Sequence, residues 1–577
     1  MPQASIVPDA AHVYVFPILR QMPSHLANNT NIPYLTSRLY ATTSATRDQE
    51  PQDGPSAGQQ HQAQSDPQQA FSAPFHSAQL AEARISAVKA SEWTSASHDD
   101  SLVQKLLRTY FTYDHPYYHI LHMDLFLDDM VNGQRHYSSP LLVNAILAQA
   151  CHGHDDIIDR FKFWDPNSLG YRFLAEARRL WELEAGLPPK ITTVQAAFLI
   201  CTNYSINGLD RIGNEYLNQA FAMAHEMGLF GPLAEPIDRD QRRVYSVTAW
   251  GLYTMSSFTS FHFLQEPRLP GPPQMALPAW HDTADEFGEI WMLYPRAQSP
   301  IRTYHGHLVR ALAELSMIMA EVAHRSFGEA SKDQGKMRLE EAMWYRSKLL
   351  AWYLSLPRPL TSGEIVFPAQ LKLHMHYQNV LIAIFEPFGD IPAVAPPLST
   401  PFPEATPTLH PPTPSQILAD ARACLETLVR LFYSRHGLAL PDSTVALFLL
   451  LAGNGALSRL SSSSSSDEED GQDSDDAAAS TMVLCVRGFL TQGRNRYLHQ
   501  AVFHMFCGLM TPGQRRMVRQ EVAGEGEEGA EGGGLGGEFV AQYLRSQWPV
   551  NIVGVDRDPA GKELDRVIPS RGGDSGR

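Results

Sequence analysis

Asp155-Asp156-Ile157-Ile158-Asp159 is the stretch of this sequence nearest to a catalytic motif. On a helix, Asp155 and Asp159 would share a face and could hold Mg²⁺ against a diphosphate. That chemistry needs a second acidic motif downstream. His281 to Glu289 has the spacing, but it puts His281 at the first ligand position and Asp285 where a hydroxyl is required. It also follows a Pro-rich loop, so both stretches read as solvated acidic helix ends. His115, His119 and His122 are spaced i, i+4, i+7, and His152 and His154 flank Gly153. Zinc needs tetrahedral geometry and usually a fourth ligand, and Pro116 interrupts a helix through His115. These histidines are expected to be buried or capping. His374 and His376 are expected on different faces of one helix.

Other matches carry less. Gly532 to Gly537 fits GxGxxG but follows an acidic Gly-rich tract rather than a strand. Gly573-Asp574-Ser575-Gly576 resembles a nucleophile loop without a barrel to seat it. Asn203-Tyr204-Ser205 fits a glycosylation acceptor but falls on an expected buried helix. Trp250, Tyr253, Phe258, Phe261 and Phe263 crowd one segment, with Trp280 and Trp291 beyond it. They could line a ligand pocket, and core packing is the weightier reading. No catalytic, cofactor-binding or metal-binding residue is assigned.

The elements that would position such residues follow from composition. The chain has 577 residues, 44% apolar and 19% charged, enough for a sizeable core. No apolar run reaches the ~18 residues of a membrane span, so no membrane role is expected. Cys151, Cys201, Cys424, Cys485 and Cys507 are too dispersed for a CxxC-type zinc cluster or a disulfide framework, and read as free thiols. The net charge is −16. Thirteen carboxylates lie in two tracts without Lys or Arg, Asp467–Asp476 and Glu521–Glu538, and everything else carries about −3. A near-neutral body neither attracts DNA strongly nor repels a DNA-bound neighbour. No basic cluster is visible.

The periodicity predicts an all-α fold of many antiparallel helices. Residues 1–98 read as a disordered Gln/Ser/Pro-rich region, with order beginning near Asp99, an N-cap candidate. Residues 99–386 form a helical core, 387–414 a Pro-rich linker, and 415–556 a C-terminal helical part. Disordered acidic insertions are expected at 461–480 and 521–538, and a tail at 557–577. Thr192 to Gln195 has capping-box spacing. Val194, Ala197, Phe198, Cys201 and Tyr204 recur at helical intervals, as do Leu217, Ala220, Phe221, Ala224 and Met227. Gly228 then sits where a left-handed C-cap residue belongs. Further stripes run through 139–151, 170–185, 240–263, 301–324, 337–355, 369–385, 415–433, 481–490 and 496–509.

Several of these blocks resemble, in order, the fungal-specific transcription factor domain, or middle homology region, of zinc binuclear cluster regulators. They are LLRTYFTYDHPYYHILHMDLFL (106–127), SSPLLVNAILAQACHG (138–153), residues 173–231, and 239–272. LHMHYQNVLIAIFEPF (373–388), GFLTQGRNRYLHQAVFHMF (488–506) and WPVNIVGVD (548–556) resemble the branch of nitrogen-assimilation regulators. The resemblance spans roughly 101–556. It implies a nuclear regulator of transcription and not an enzyme, acting through effector or partner binding. The implied partners are the transcription machinery or other regulators, with a small-molecule effector and a homodimer as further candidates. Such proteins carry a six-cysteine zinc cluster that reads DNA. No cysteine precedes Cys151, so DNA contact is expected only through an N-terminal module missing from this chain, and zinc as a cofactor only with that module. The alternatives are an Mg²⁺-dependent enzyme similar to class I terpenoid synthases and a helical protein-interaction scaffold.

Overall fold

A computed structural model of the chain describes residues 22–47, 73–184, 186–232, 237–295, 297–328, 335–389, 412–462, 470–523, 543–548 and 564. The GxGxxG and GDSG matches, residues 390–411 of the expected linker, and 463–469 and 524–538 of the expected insertions lie outside the described residues.

The fold is built of helices, as the periodicity predicts. In chain order they are α1 (Ser24–Ala27), α2 (Arg38–Arg47), α3 (Ala90–Trp93), α4 (Asp100–Thr109), α5 (Met123–Asn132), α6 (Pro140–Cys151), α7 (Leu169–Glu184), α8 (Ile191–Ile206), α9 (Asp210–Glu226) and α10 (Arg239–His262). Then come α11 (Thr283–Phe287), α12 (His305–Phe327), α13 (Leu339–Ser355), α14 (Pro368–Phe385), α15 (Pro414–His436), α16 (Val445–Ser462), α17 (Asp470–Gly493), α18 (Tyr497–Leu509) and α19 (Pro512–Ala523). A small antiparallel sheet, β1 (Gln79–Leu80), β2 (Trp291–Leu293) and β3 (Ile301–Arg302), joins the N-terminal region to the loops before α12. Its register pairs Leu80 with Met292 and Met292 with Ile301. The stripe expected over 301–324 thus divides into a strand and a helix beginning at His305.

α8 lies at the centre. It packs against α6 on one side, α9 on another, and reaches α10 and α18. Its stripe Val194, Ala197, Phe198, Cys201 and Tyr204 is buried, and so are the residues between them. A helix enclosed on all sides is the expected state of an element with apolar residues on every face. The C-terminal helices wrap this body: α14 packs on α15, α16 on α17, and α17 on α18.

Local capping follows the sequence in part. Asp99 caps α4, its Oδ1 accepting from Leu102 N–H at 3.1 Å. Gly228 takes φ +72° just past α9. The capping box at Thr192 does not form. α8 begins at Ile191 with Lys190 as its N-cap, two residues too early for Thr192 to be the cap. Thr193 Oγ1 instead donates to Glu184 Oε2 at 2.5 Å, and Gln195 Nε2 donates to Thr248 Oγ1 at 2.9 Å. Tertiary partners outcompete the local cap.

Structure begins well before Asp99. Leu26, Tyr34, Leu39, Phe75, Leu80, Ile85 and Trp93 are all buried in the core. Composition averages conceal single apolar anchors spaced along a polar stretch. The acidic tract is likewise helical from Asp470, because Ala477, Ala478 and Thr481 face the core on α17.

Burial sets the acid response. His119, His152, His262 and His374 are pushed down to about 4, and His305 and His499 to about 3, each mainly by burial. In the unfolded chain such groups take a proton near pH 6.5. The unfolded state therefore binds more protons as pH falls below about 6.5, and stability is lost down to the folded values. The urea midpoint should fall steadily from pH 6.5 to 4, each histidine adding up to about 1.4 kcal/mol per pH unit. A flat profile over that interval would contradict this burial.

Candidate functional site

The Asp155–Asp159 stretch lies in turns, not on a helix, and Asp159 takes φ +55°. Its carboxylates answer separate cations. Asp155 pairs with Arg160 at 3.0 Å, Asp156 with Lys105 at 3.0 Å, and Asp159 with Lys162 at 2.7 Å. In the second stretch Asp285 binds Arg239 and Arg243, and Glu289 binds Arg302 at 2.6 Å. No common metal position arises from these pairings, so the two stretches are salt-bridged segments, the first largely exposed and the second partly buried.

The histidines are buried, His154 excepted, each in its own packing role. The His115 ring lies 4.8 Å from that of His305. His119 Nδ1 bonds the Tyr117 carbonyl, and His122 Nε2 the Asp285 carbonyl. His152 bonds the Asn495 carbonyl, and His154 bonds Thr109. His374 reaches Leu360 O and Tyr34, and His376 reaches Tyr117. Among the described residues, no group of three His, Cys, Asp or Glu side chains could hold a metal ion. The five cysteines are free, and only Cys507 is not buried.

What the sequence does not reveal is a group of buried charges where the two halves of the chain meet. Lys372 on α14 pairs with Asp442 at 2.8 Å, with both side chains about 5% exposed or less. Lys372 Nζ also sits 4.8 Å over the Tyr117 ring. Asp442 Oδ1 accepts from Thr444 N–H and Val445 N–H, each at 2.9 Å, and so caps α16. Burial pushes the Asp442 carboxyl up, but Lys372 and these N–H groups outweigh it and hold it below its ordinary range. Arg496, fully buried before α18, lies 3.7 Å from Asp114. Burial raises the Asp114 carboxyl, and Arg496 and Gln149 offset only part of that. Asp114 closes the π-helical turn Tyr110–Asp114 that extends α4.

Beside this seam is a cavity of about 150 Å³. α8 contributes Cys201, Thr202 and Ser205; α10 contributes Phe258, Thr259 and His262. The opposite wall is Ser443–Thr444, Leu447 and Leu498 from the C-terminal half. Of the aromatic residues singled out in the sequence, Phe258 and Phe263 line it, whereas Trp250, Tyr253 and Phe261 are buried in the core. His262 is neutral, its Nδ1–H donating to Phe258 O at 2.7 Å and its Nε2 accepting from Asn379 Nδ2 at 2.8 Å. Burial pushes the Cys201 thiol up to about 12. Arg268 enters from the Pro-rich loop after α10.

One edge is closed by Tyr543–Trp548. Arg545 N–H donates to Gly208 O at 2.8 Å, and Arg211 N–H donates to Arg545 O at 3.2 Å. Gln547 N–H donates to Asp210 Oδ2 at 2.8 Å, and Gln547 and Trp548 line the cavity. Leu544 packs so closely on Gly208 that a Cβ there would lie 2.7 Å from its Cδ1. Gly208 also needs φ +69°, so both geometry and contact demand glycine.

Residues 107–274, which carry α8, α10 and Arg268, match the family model described as the fungal specific transcription factor domain. Three curated relatives are similar over a wider span. The nitrogen assimilation transcription factor nirA of Emericella nidulans is 26% identical over 365 residues, 60% of this chain and 39% of that protein. The notoamide biosynthesis transcriptional activator notL' of Aspergillus versicolor is 27% identical, over 52% of this chain and 48% of its own. The nitrogen assimilation transcription factor nit-4 of Neurospora crassa is 29% identical, over 51% and 28%. The chain thus matches less than half the length of each of these relatives. No solved structure matches it. The similarity is to regulators of transcription, not to enzymes. The cavity lies at the boundary between the family-matched helices and the C-terminal helices.

Removing one member of the buried pair leaves a charge without its main partner. Lys372→Met should cost about 3–5 kcal/mol in urea unfolding. Adding Asp442→Asn to Lys372→Met should cost less than the sum of the two single changes. A loss below about 1 kcal/mol for Lys372→Met, the size of an exposed pair, would contradict the seam.

Proposed function

We propose that this chain is the effector-responsive regulatory part of a nuclear transcription regulator. A small molecule bound in the cavity would shift the helical body between states that differ in the surface offered to the transcription machinery. The observation that carries this reading is that the cavity wall comes from both halves of the chain and from the Tyr543–Trp548 segment. A ligand touching all three can favour one arrangement of them over another, which is what regulation by binding requires. Sequence-specific DNA contact would be made by a separate module. The five cysteines of this chain are dispersed and cannot form a six-cysteine zinc cluster.

The test tethers the chain to DNA through an unrelated sequence-specific DNA-binding domain, upstream of a reporter in a fungal host. Wild type should change reporter transcription severalfold relative to the DNA-binding domain alone. Ser205→Phe should fill the cavity. Ser205 Oγ donates to the carbonyl of Cys201 and meets the Cys201 thiol at 4.0 Å, both on its own helix, so the fold tolerates its loss. The variant should express normally and hold the reporter at one fixed level across growth media that alter the wild-type output. A tethered chain with no effect on the reporter would contradict the regulatory reading. A Ser205→Phe chain responding as wild type would contradict the role of the cavity.

A further inference from the structure

The guanidinium on the cavity wall meets only neutral hydrogen-bond partners among the described residues. Arg268 is half-buried, and its backbone N–H donates to Ser256 Oγ at 3.2 Å, which ties the loop to α10. Its guanidinium donates to two side-chain carbonyls, Asn218 Oδ1 at 3.3 Å and Asn214 Oδ1 at 3.1 Å. Both are neutral. Among the described residues no carboxylate lies within ion-pair distance of it. The Cys201 thiol nearby stays protonated, since burial pushes it up to about 12. Asp210, the carboxylate on the same wall, is turned to the Gln547 N–H. A guanidinium has five N–H donors, and two are used among the described residues. Burial acts against its charged form and pushes its pKa down.

We propose that the cavity takes a small organic anion, a carboxylate on a compact apolar body, with the carboxylate against Arg268 and the body against Phe258 and Leu447. The inference rests on the reading of the cavity as an effector site. An incoming carboxylate turns a partly dehydrated cation into a charge-assisted pair, which a neutral ligand cannot do. A cationic ligand would be repelled by the same group. The volume limits the ligand: a cavity of about 150 Å³ is the size that accommodates a single benzene ring. Phe258 and Leu447, with Leu217 and Met255 beyond them, supply apolar wall for such a body. The two asparagines hold the guanidinium fork in place, so Arg268 is a recognition residue set before the ligand arrives.

The experiment is calorimetric titration of the full chain with benzoate, benzyl alcohol and benzylamine, which share a ring and differ in charge. Benzoate should bind at least tenfold more tightly than benzyl alcohol. Arg268→Met should weaken benzoate at least tenfold and leave benzyl alcohol within twofold, and Arg268→Lys should fall between. The wild-type ranking needs no variant, so a failure of Arg268→Met to fold leaves the test intact. Equal binding of benzoate and benzyl alcohol would overturn the anion assignment while leaving the effector cavity standing. Tightest binding of benzylamine would overturn it in favour of Asp210. Binding of none of the three would overturn the proposal, and the Ser205→Phe reporter result would then decide separately whether the effector reading falls too.

Discussion

Four charged side chains in the interior hold the two halves of this chain together. Lys372 and Asp442 form one pair, and Asp114 and Arg496 a looser one. Burying charge is costly unless the partner and the hydrogen bonds are in place, so these residues tolerate few arrangements of the backbone around them. Asp442 is fixed twice, by Lys372 and by the first N–H groups of α16. Asp114 ends the π-helical turn after α4, and Arg496 immediately precedes α18. The helix termini that bound the cavity are thus set by electrostatics as much as by apolar packing. A second network does similar work further out, where Glu426 is approached by His25, Arg430 and Arg459. Burial pushes that carboxyl up, but His25 and the two arginines outweigh it and hold it well below its ordinary range.

The cavity follows from this arrangement. It is open where the family-matched helices α8 and α10 meet the start of α16, and the Tyr543–Trp548 segment lies along its edge. Its apolar wall is ordinary core surface that happens to face a gap. Its polar side is Arg268, from the loop after α10, with Asn214 and Asp210 from α9. A ligand there would act on the relative position of elements far apart in sequence.

Much of the helical architecture was legible because most helices bury one stripe. α9 shows this: Leu217, Ala220, Phe221 and Ala224 are buried, and the residues between them are largely exposed. α16 was missed because Val445 to Ala452 are buried on every face, so the run has no period to read. The three short strands were missed because two or three residues carry no alternation. The order before Asp99 was missed because Phe75, Ile85 and Trp93 are isolated anchors in polar surroundings. Of the crowd of aromatics near 250–263, Phe258 and Phe263 line the cavity, and Trp250, Tyr253 and Phe261 pack in the core. Arg268 had no local signal, since an arginine in a Pro-rich loop is indistinguishable from a solvated one until Asn214 and Asn218 are seen to hold it. The capping box at Thr192 and the acidic motif at Asp155 failed for the same reason: short patterns do not say which distant side chain will claim each group.

The central claim is that helices α4–α14 and helices α15–α18 form one body joined by the buried charges. Scanning calorimetry of the chain tests it most directly. One body predicts a single heat-absorption peak whose calorimetric and van't Hoff enthalpies agree, moved as a whole to lower temperature by Lys372→Met. Two separable peaks, with Lys372→Met shifting only one of them, would contradict it.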